Sequence, residues 1–259
     1  MIAMKIGLSA ANGARTVFGR FVFRKRLPRA FGRGHVNVTS RSDIRLLAPG
    51  FTRCAGDLMQ VASAYIKEGS CVWDIGSNLG IFSFCASWKA GSSGRVFSLE
   101  ADPFYVNLQH KTTRSLPAGY APVSPLCAAV SDSMAILDLS IPKRGHSRNH
   151  LAIVAGNDAG ETVMRKQVVS ITADFLLNFW PKPDFVKVDV EGAEILFLRG
   201  ATQLLQSARP QMYIEVGSSN TEEATQILKS FDYRMFSVSP DGSENAISRC
   251  EFNTIVRPA

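Results

Sequence analysis

From residue 70 onward, short apolar runs alternate with stretches of helical character, and this alternation constrains the fold more than any other feature of the chain. Strands that alternate with helices read as βαβ units. Each unit lays its second strand parallel to its first and covers the sheet with a helix. Runs at 70–75, 95–99, 123–130, 135–141, 163–171, 184–190 and 212–216 read as strands. Helices are expected over 81–89, 102–115, 172–179, 193–206 and 221–230, with closing strands near 233–238 and 251–257. Asp102 before Pro103 marks a helix start, because the carboxylate caps free N–H groups and proline needs no donor in the first turn. Pro210 stops the helix that precedes it. The expected fold class is α/β, a doubly wound, mostly parallel, Rossmann-like sheet of about seven strands.

The charge divides the chain. Residues 1–54 hold eleven Lys or Arg and one acid, Asp43, for a net +10, whereas residues 55–259 carry −3. The expected organisation is a basic extension over 1–54 and a catalytic domain over 55–259. Val17, Phe18, Phe21 and Val22 share one helical face beside Arg20 and Arg24 to Arg26. One reading is a basic amphipathic helix by which residues 1–33 touch an anionic membrane. The other is a solvated extension packed loosely on the domain, since Gly19 and Pro28 oppose a long helix. Nucleic-acid binding is disfavoured: the basic charge is confined to this segment, and the body has no aromatic–basic platform.

Hydrophobic residues at 46% and charged residues at 20% describe a globular chain, and no apolar run approaches the ~18 residues that cross a bilayer. The five cysteines (Cys54, Cys71, Cys85, Cys127 and Cys250) form no CxxC pair, and there is no H-E-x-x-H. No disulfide framework and no metal site are expected, which fits a reduced, cytoplasmic protein with buried thiols.

The sharpest local motif is Val72-Trp-Asp-Ile-Gly-Ser-Asn-Leu-Gly80, at a strand-to-helix junction. Gly76 and Gly80 allow a tight turn and a close backbone approach, and Asn78 tolerates the left-handed conformation. A dinucleotide fingerprint would place glycines where Asn78 and Ile81 stand, so a hydride-transferring dehydrogenase is the weakest reading, and no phosphate loop is present. Asp74 and Glu100 end consecutive strands, where ligands of open α/β sheets bind, and an acid at Glu100 suits the two hydroxyls of a ribose. Asp132 either accepts from an adenine amine or caps the turn at 131–133.

Lys187, Asp189 and Glu191 alternate along one strand and share a face. Charges on an apolar, buried strand are costly unless paired or used. Asp189 and Glu191 are therefore candidate catalytic groups, with Lys187 as their partner, and a structural ion pair with a helix cap is the competing reading. Glu215 ends the neighbouring strand and faces the same region. His150, in the irregular stretch 142–161, is a further candidate base.

Read together, the 72–80 motif, Leu99-Glu-Ala-Asp-Pro103, Lys187–Glu194, Ile214-Glu-Val216 and Phe252-Asn-Thr-Ile-Val256 resemble the FkbM family of methyltransferases over roughly residues 55–257. The resemblance implies a class I, S-adenosylmethionine-dependent enzyme that methylates hydroxyl oxygens of sugars or small molecules. It extends to branches that act on fucose in rhizobial nodulation signals. By the same resemblance Gly76, Ser77, Asn78 and Gly80 lie against the methionine part of the cofactor, and Glu100 holds the ribose. Ser77 departs from the alanine more usual there. An RNA methyltransferase and a non-catalytic nucleoside-binding protein are the alternatives.

Overall fold

The computed structural model describes residues 21–142, 150–151, 162–238 and 243–259. It begins with an antiparallel pair, β1 (Phe23–Arg26) and β2 (His35–Val38), followed by helix α1 (Thr52–Tyr65). Then β3 (Cys71–Ile75), α2 (Ile81–Ala90), β4 (Arg95–Glu100), α3 (Pro103–Thr113) and β5 (Val123–Cys127) alternate as expected. Short strands β6 (Ala129–Val130), β7 (Ala135–Pro142), β8 (His150–Leu151) and β9 (Thr162–Ile171) come next. The alternation resumes with α4 (Ala173–Leu176), β10 (Phe185–Val188), α5 (Glu194–Arg199), β11 (Gln211–Glu215) and α6 (Thr221–Ser230). β12 (Tyr233–Val238), β13 (Glu244–Ile247) and β14 (Asn253–Pro258) close the chain.

Among the described residues the main sheet has eight strands, in the order β13-β12-β14-β11-β10-β3-β4-β5. The block from β11 to β5 is parallel; β14 pairs antiparallel with both β11 and β12, so β12 runs in the direction of the block, and β13 pairs antiparallel with β12. The central strands β3 and β10 are buried on both faces, which is why they read as apolar runs without alternation, whereas the edge strand β5 is largely exposed. The sheet has one strand more than the seven expected, because β13 folds back onto the edge strand β12.

Residues 123–130 are not one strand. The chain leaves the main sheet at Ala128, whose N–H donates to the Glu100 carbonyl at 3.1 Å. A second sheet follows, in the order β6-β9-β7-β8. Its strands alternate in the manner of a one-sided antiparallel sheet. Ile136 and Val169 point to solvent, while Leu139, Leu151 and Val168 pack with Ala129 and Ala193. The expected helix over 193–206 is also divided. It stops at Gly200, and the next turn is capped separately by Asp174, whose carboxylate accepts from the N–H groups of Gln203 and Leu204 at 2.9 Å.

The described part of the basic segment is not a loose extension, and it is not helical over Phe23–Arg26. Leu27, Phe31, Val36, Val38, Leu46 and Phe51 are buried in the same core as Phe82, Phe84 and Tyr105 of the α/β body. The Tyr120 hydroxyl accepts from Gly34 N at 2.8 Å and donates to the Phe31 carbonyl at 2.5 Å. Lys25 turns inward onto the carbonyls of Leu46 and Ala48, while Arg24 and Arg26 face solvent. Val36 and Val38 alternate inward on β2 and, with Leu27 and Phe31, outweigh the exposed Arg24 and Arg26, so the shared core extends across residue 54. Residues 1–20, including Val17 and Phe18 of the expected membrane-facing helix, lie outside the described residues. No described helix is long and apolar enough to cross a membrane. Cys85 and Cys250 are buried, Cys71 is partly covered and Cys127 is exposed, so the thiols are not uniformly buried as expected.

Phe31 tests this docking. Phe31→Ala should lower unfolding stability by about 3–5 kcal/mol, the usual cost of deleting a buried ring, as read by urea denaturation. An unchanged midpoint would show that the strand pair does not belong to the core.

Candidate active site

From β3 the chain runs outward through β4 and β5, then returns to place β10 on the other flank of β3. The strand order reverses between β3 and β10, and the carboxyl ends at such a switch point frame a crevice. Gly76, Asn78 and Gly80 all have positive φ, at 75°, 52° and 75°. A Cβ on residue 76 would lie 1.8 Å from the Asp189 carbonyl oxygen, so the two strand ends meet only because that residue is glycine. The N–H groups of Gly76 and Ser77 both donate to the Leu99 carbonyl, at 2.9 and 3.0 Å, which ties the turn to the end of β4.

Glu100 ends β4 and is 9% exposed. One carboxylate oxygen accepts from Asn78 N and the other from Asp102 N, each at 2.8 Å. Burial pushes its pKa up to about 7, against the lowering effect of those two N–H groups.

Lys187, on β10, is 3% exposed. Its Nζ donates to the Gly76 carbonyl at 2.8 Å and stands 3.3 Å from Asp74 Oδ1 and 3.2 Å from Asp189 Oδ2. Burial alone would discharge the amine. The fields of Asp189, Asp74 and Glu215 reverse that effect and hold it firmly protonated. Glu215, at the end of β11, responds in the opposite sense: burial, then the nearby Asp189 charge, push its pKa up to about 7.

Two cavities flank this cluster. The first is lined by Glu100, Tyr105, Ala128 to Val130, Leu139 and Leu151. The second lies between the β3–α2 turn and the N-terminal segment, with Asp43, Arg45, Asp57, Phe82, Lys187 and Glu215 in its wall. Asn78, Asp189 and Glu191 line both cavities and form the partition between them.

Of the residues singled out in the sequence, Gly76, Asn78, Glu100, Asp189 and Glu191 therefore come together. Four others do different work. Asp74 is fully buried beneath the turn, accepts from the Ser83 hydroxyl and faces Lys187, so it reaches no cavity. Gly80 lines neither cavity: it starts α2 and packs against Phe84 and Gln109. Ser77 borders only the second cavity, and its hydroxyl is committed to the Leu99 carbonyl and to Gln109. Asp132 is exposed and accepts from Ser131 and Ser133, so it caps its own turn and is absent from the cavity walls. The His150 backbone pairs with Ser140 on β7, but its side chain lies outside the described residues, as do 143–149 and 152–161.

Sequence reasoning missed two supports of the turn. Gln109, buried on α3, donates through Nε2 to Ser77 Oγ at 2.8 Å and the Asn78 carbonyl at 2.6 Å, and accepts from Ser98 Oγ at 2.7 Å. Ser42 donates to Asn78 Oδ1 at 2.8 Å, which links the N-terminal segment to the partition. A glutamine on the buried face of a helix was the one available signal; Ser42 gave none.

Residues 74–235, more than half of the chain, match the family described as the methyltransferase FkbM domain. The chain belongs to the FkbM methyltransferase family. The hexuronic acid methyltransferase AglP of Haloferax volcanii is 28% identical over 151 residues, which are 58% of this chain and 58% of AglP. The chain thus spans little more than half the length of that curated relative. The crystal structure of methyltransferase FkbM from Methylobacillus flagellatus shares 14% identity and a TM-score of 0.50, over 77% of this chain and 47% of that one. That likeness is one of fold. The strand order of the FkbM domain described here, parallel with an antiparallel end, is the class I methyltransferase arrangement.

Lys187→Met should cost about 3–5 kcal/mol of stability, because Asp74 would be left as a buried charge without its counter-ion. Adding Asp74→Asn should recover part of the loss. Denaturation of both variants decides it, and a loss below ~1 kcal/mol for the single variant would mean the cluster is not electrostatically coupled.

Proposed function

We propose that this FkbM-family chain transfers a methyl group from S-adenosylmethionine to a hydroxyl oxygen of a carbohydrate acceptor. The observation that carries the reading is the partition: a cavity walled by a buried carboxylate meets a second, polar cavity across Asn78, Asp189 and Glu191.

The residues present fit the cofactor. Each oxygen of Glu100 accepts one backbone N–H, and a carboxylate has about four acceptor positions, so one on each oxygen remains for a ribose hydroxyl. Ala128, Ala129, Val130, Leu139 and Leu151 offer apolar surface to the faces of an adenine. Gly76 brings backbone to the edge of the first cavity, next to Asp189, and Asn78 borders both cavities. When bound, S-adenosylmethionine supplies a methyl group activated by its sulfonium.

The chain's own residues then have two tasks. They hold the acceptor hydroxyl against the partition, where fixed orientation replaces a costly encounter. They also remove its proton, and Asp189 is the base, 27% exposed on the line between the cavities. Lys187 fixes the orientation of Asp189 through their contact. The sugar acceptor is supported by family membership and by the named activity of AglP.

Asp189→Asn should bind S-adenosylhomocysteine within a few-fold of wild type by calorimetry. Its methyl transfer to a panel of methyl glycosides should fall by about 10²–10⁴-fold, the usual worth of a general base. Retained turnover would remove Asp189 as the base. Failure of the wild type to bind S-adenosylhomocysteine would overturn the cofactor reading.

A further inference from the structure

The second cavity has a strongly biased wall. Asp43, Asp57, Asp189, Glu191 and Glu215 line it, against Arg45 and Lys187 among the described residues. The two cations are already engaged. Arg45 pairs with Asp43 at 2.7 Å, and Lys187 lies between Asp74 and Asp189. What marks this region as a ligand site is the cavity rather than the carboxylates. It lies between the β3–α2 turn and the N-terminal segment, and it shares Asn78, Asp189 and Glu191 with the cavity walled by Glu100.

We infer that the second cavity takes an acceptor that is neutral or amine-bearing, and that it disfavours a carboxylate-bearing sugar such as a uronate. This inference rests on the methyl-transfer reading above and specifies its acceptor. An added carboxylate would enter a space whose wall already carries more carboxylates than cations among the described residues, and like charges brought together are unfavourable. The Asp189 charge, after burial, also pushes the Glu215 pKa up, which shows the two carboxylates near enough to repel. S-adenosylmethionine itself brings one net positive charge, which offsets only part of the excess. A neutral polyol faces no such repulsion, and its hydroxyls find acceptors in Asp57 and Glu215. An ammonium gains from the same field. The relationship to AglP therefore extends to the reaction and not to the charge of the acceptor.

The test uses three methyl glycosides that share one ring and differ in charge: the glucoside, the 2-amino-2-deoxyglucoside and the glucuronide. Binding of each to the full chain, loaded with S-adenosylhomocysteine, is read by saturation-transfer NMR, and methyl transfer is followed in parallel. The amino glycoside and the neutral glycoside should bind, and the glucuronide should bind about tenfold or more weakly than the neutral one. Asp57→Asn removes an exposed charge and leaves the core intact, so it should narrow that gap several-fold. Glucuronide binding equal to or tighter than the glucoside would overturn the inference, as would no binding of any of the three. Calorimetry of S-adenosylhomocysteine alone separates the two readings: if it binds while the glycosides do not, the acceptor inference fails and the cofactor reading stands.

Discussion

Lys187 carries a positive charge where water cannot solvate it, and the ends of three strands are arranged around it. β3 contributes Asp74 and the Gly76 carbonyl, β10 contributes Asp189, and β11 brings Glu215 within range of its field. A buried ammonium persists only with such partners. The same contacts fix the β3–α2 turn against the end of β10, and that junction is the wall between the two cavities. The ion pair thus acts chiefly as a brace: it holds Asp189 in place and leaves Glu215 in the wall of the second cavity.

The two cavities inherit different chemistry from the elements that close them. The first is bordered by the small second sheet, whose inward residues are apolar, and the buried Glu100 carboxylate stands in the same wall. The second is closed by the segment around residues 42–58, which meets the turn through the Ser42–Asn78 hydrogen bond. The N-terminal segment therefore lines the second cavity as well as the core. Asp43, Arg45 and Asp57 stand in that wall, while Arg24 and Arg26 are exposed.

Much of this was legible in the sequence because it rests on local rules. Strand–turn–helix alternation fixed the sheet, glycine at 76 marked the close approach, and acids at consecutive strand ends marked Glu100. Asp74 followed the same pattern yet proved to be a buried counter-ion, because sequence spacing cannot tell which side of a turn a carboxylate occupies. The break at Ala128 was hidden, since a continuous apolar run looks alike whether it stays in one sheet or passes to another. The docking of the N-terminal pair was masked by charge: Arg24, Lys25 and Arg26 dominate the first strand, while Phe31, Val36 and Val38 further along decide the packing.

The central claim is that Glu100 accepts the ribose hydroxyls of the cofactor. Calorimetry of S-adenosylhomocysteine between pH 6 and pH 8, on wild type and Glu100→Gln, tests it most directly. Burial places the Glu100 pKa at about 7, with Asp102 and Lys187 contributing smaller opposing fields. Below that value the carboxyl is protonated and loses acceptor capacity; above it the ionised form can receive both hydroxyls. The account predicts wild-type affinity that rises with pH across this window, and a Glu100→Gln variant that binds more weakly with a flat profile. Equal affinity for the two proteins at every pH would contradict it.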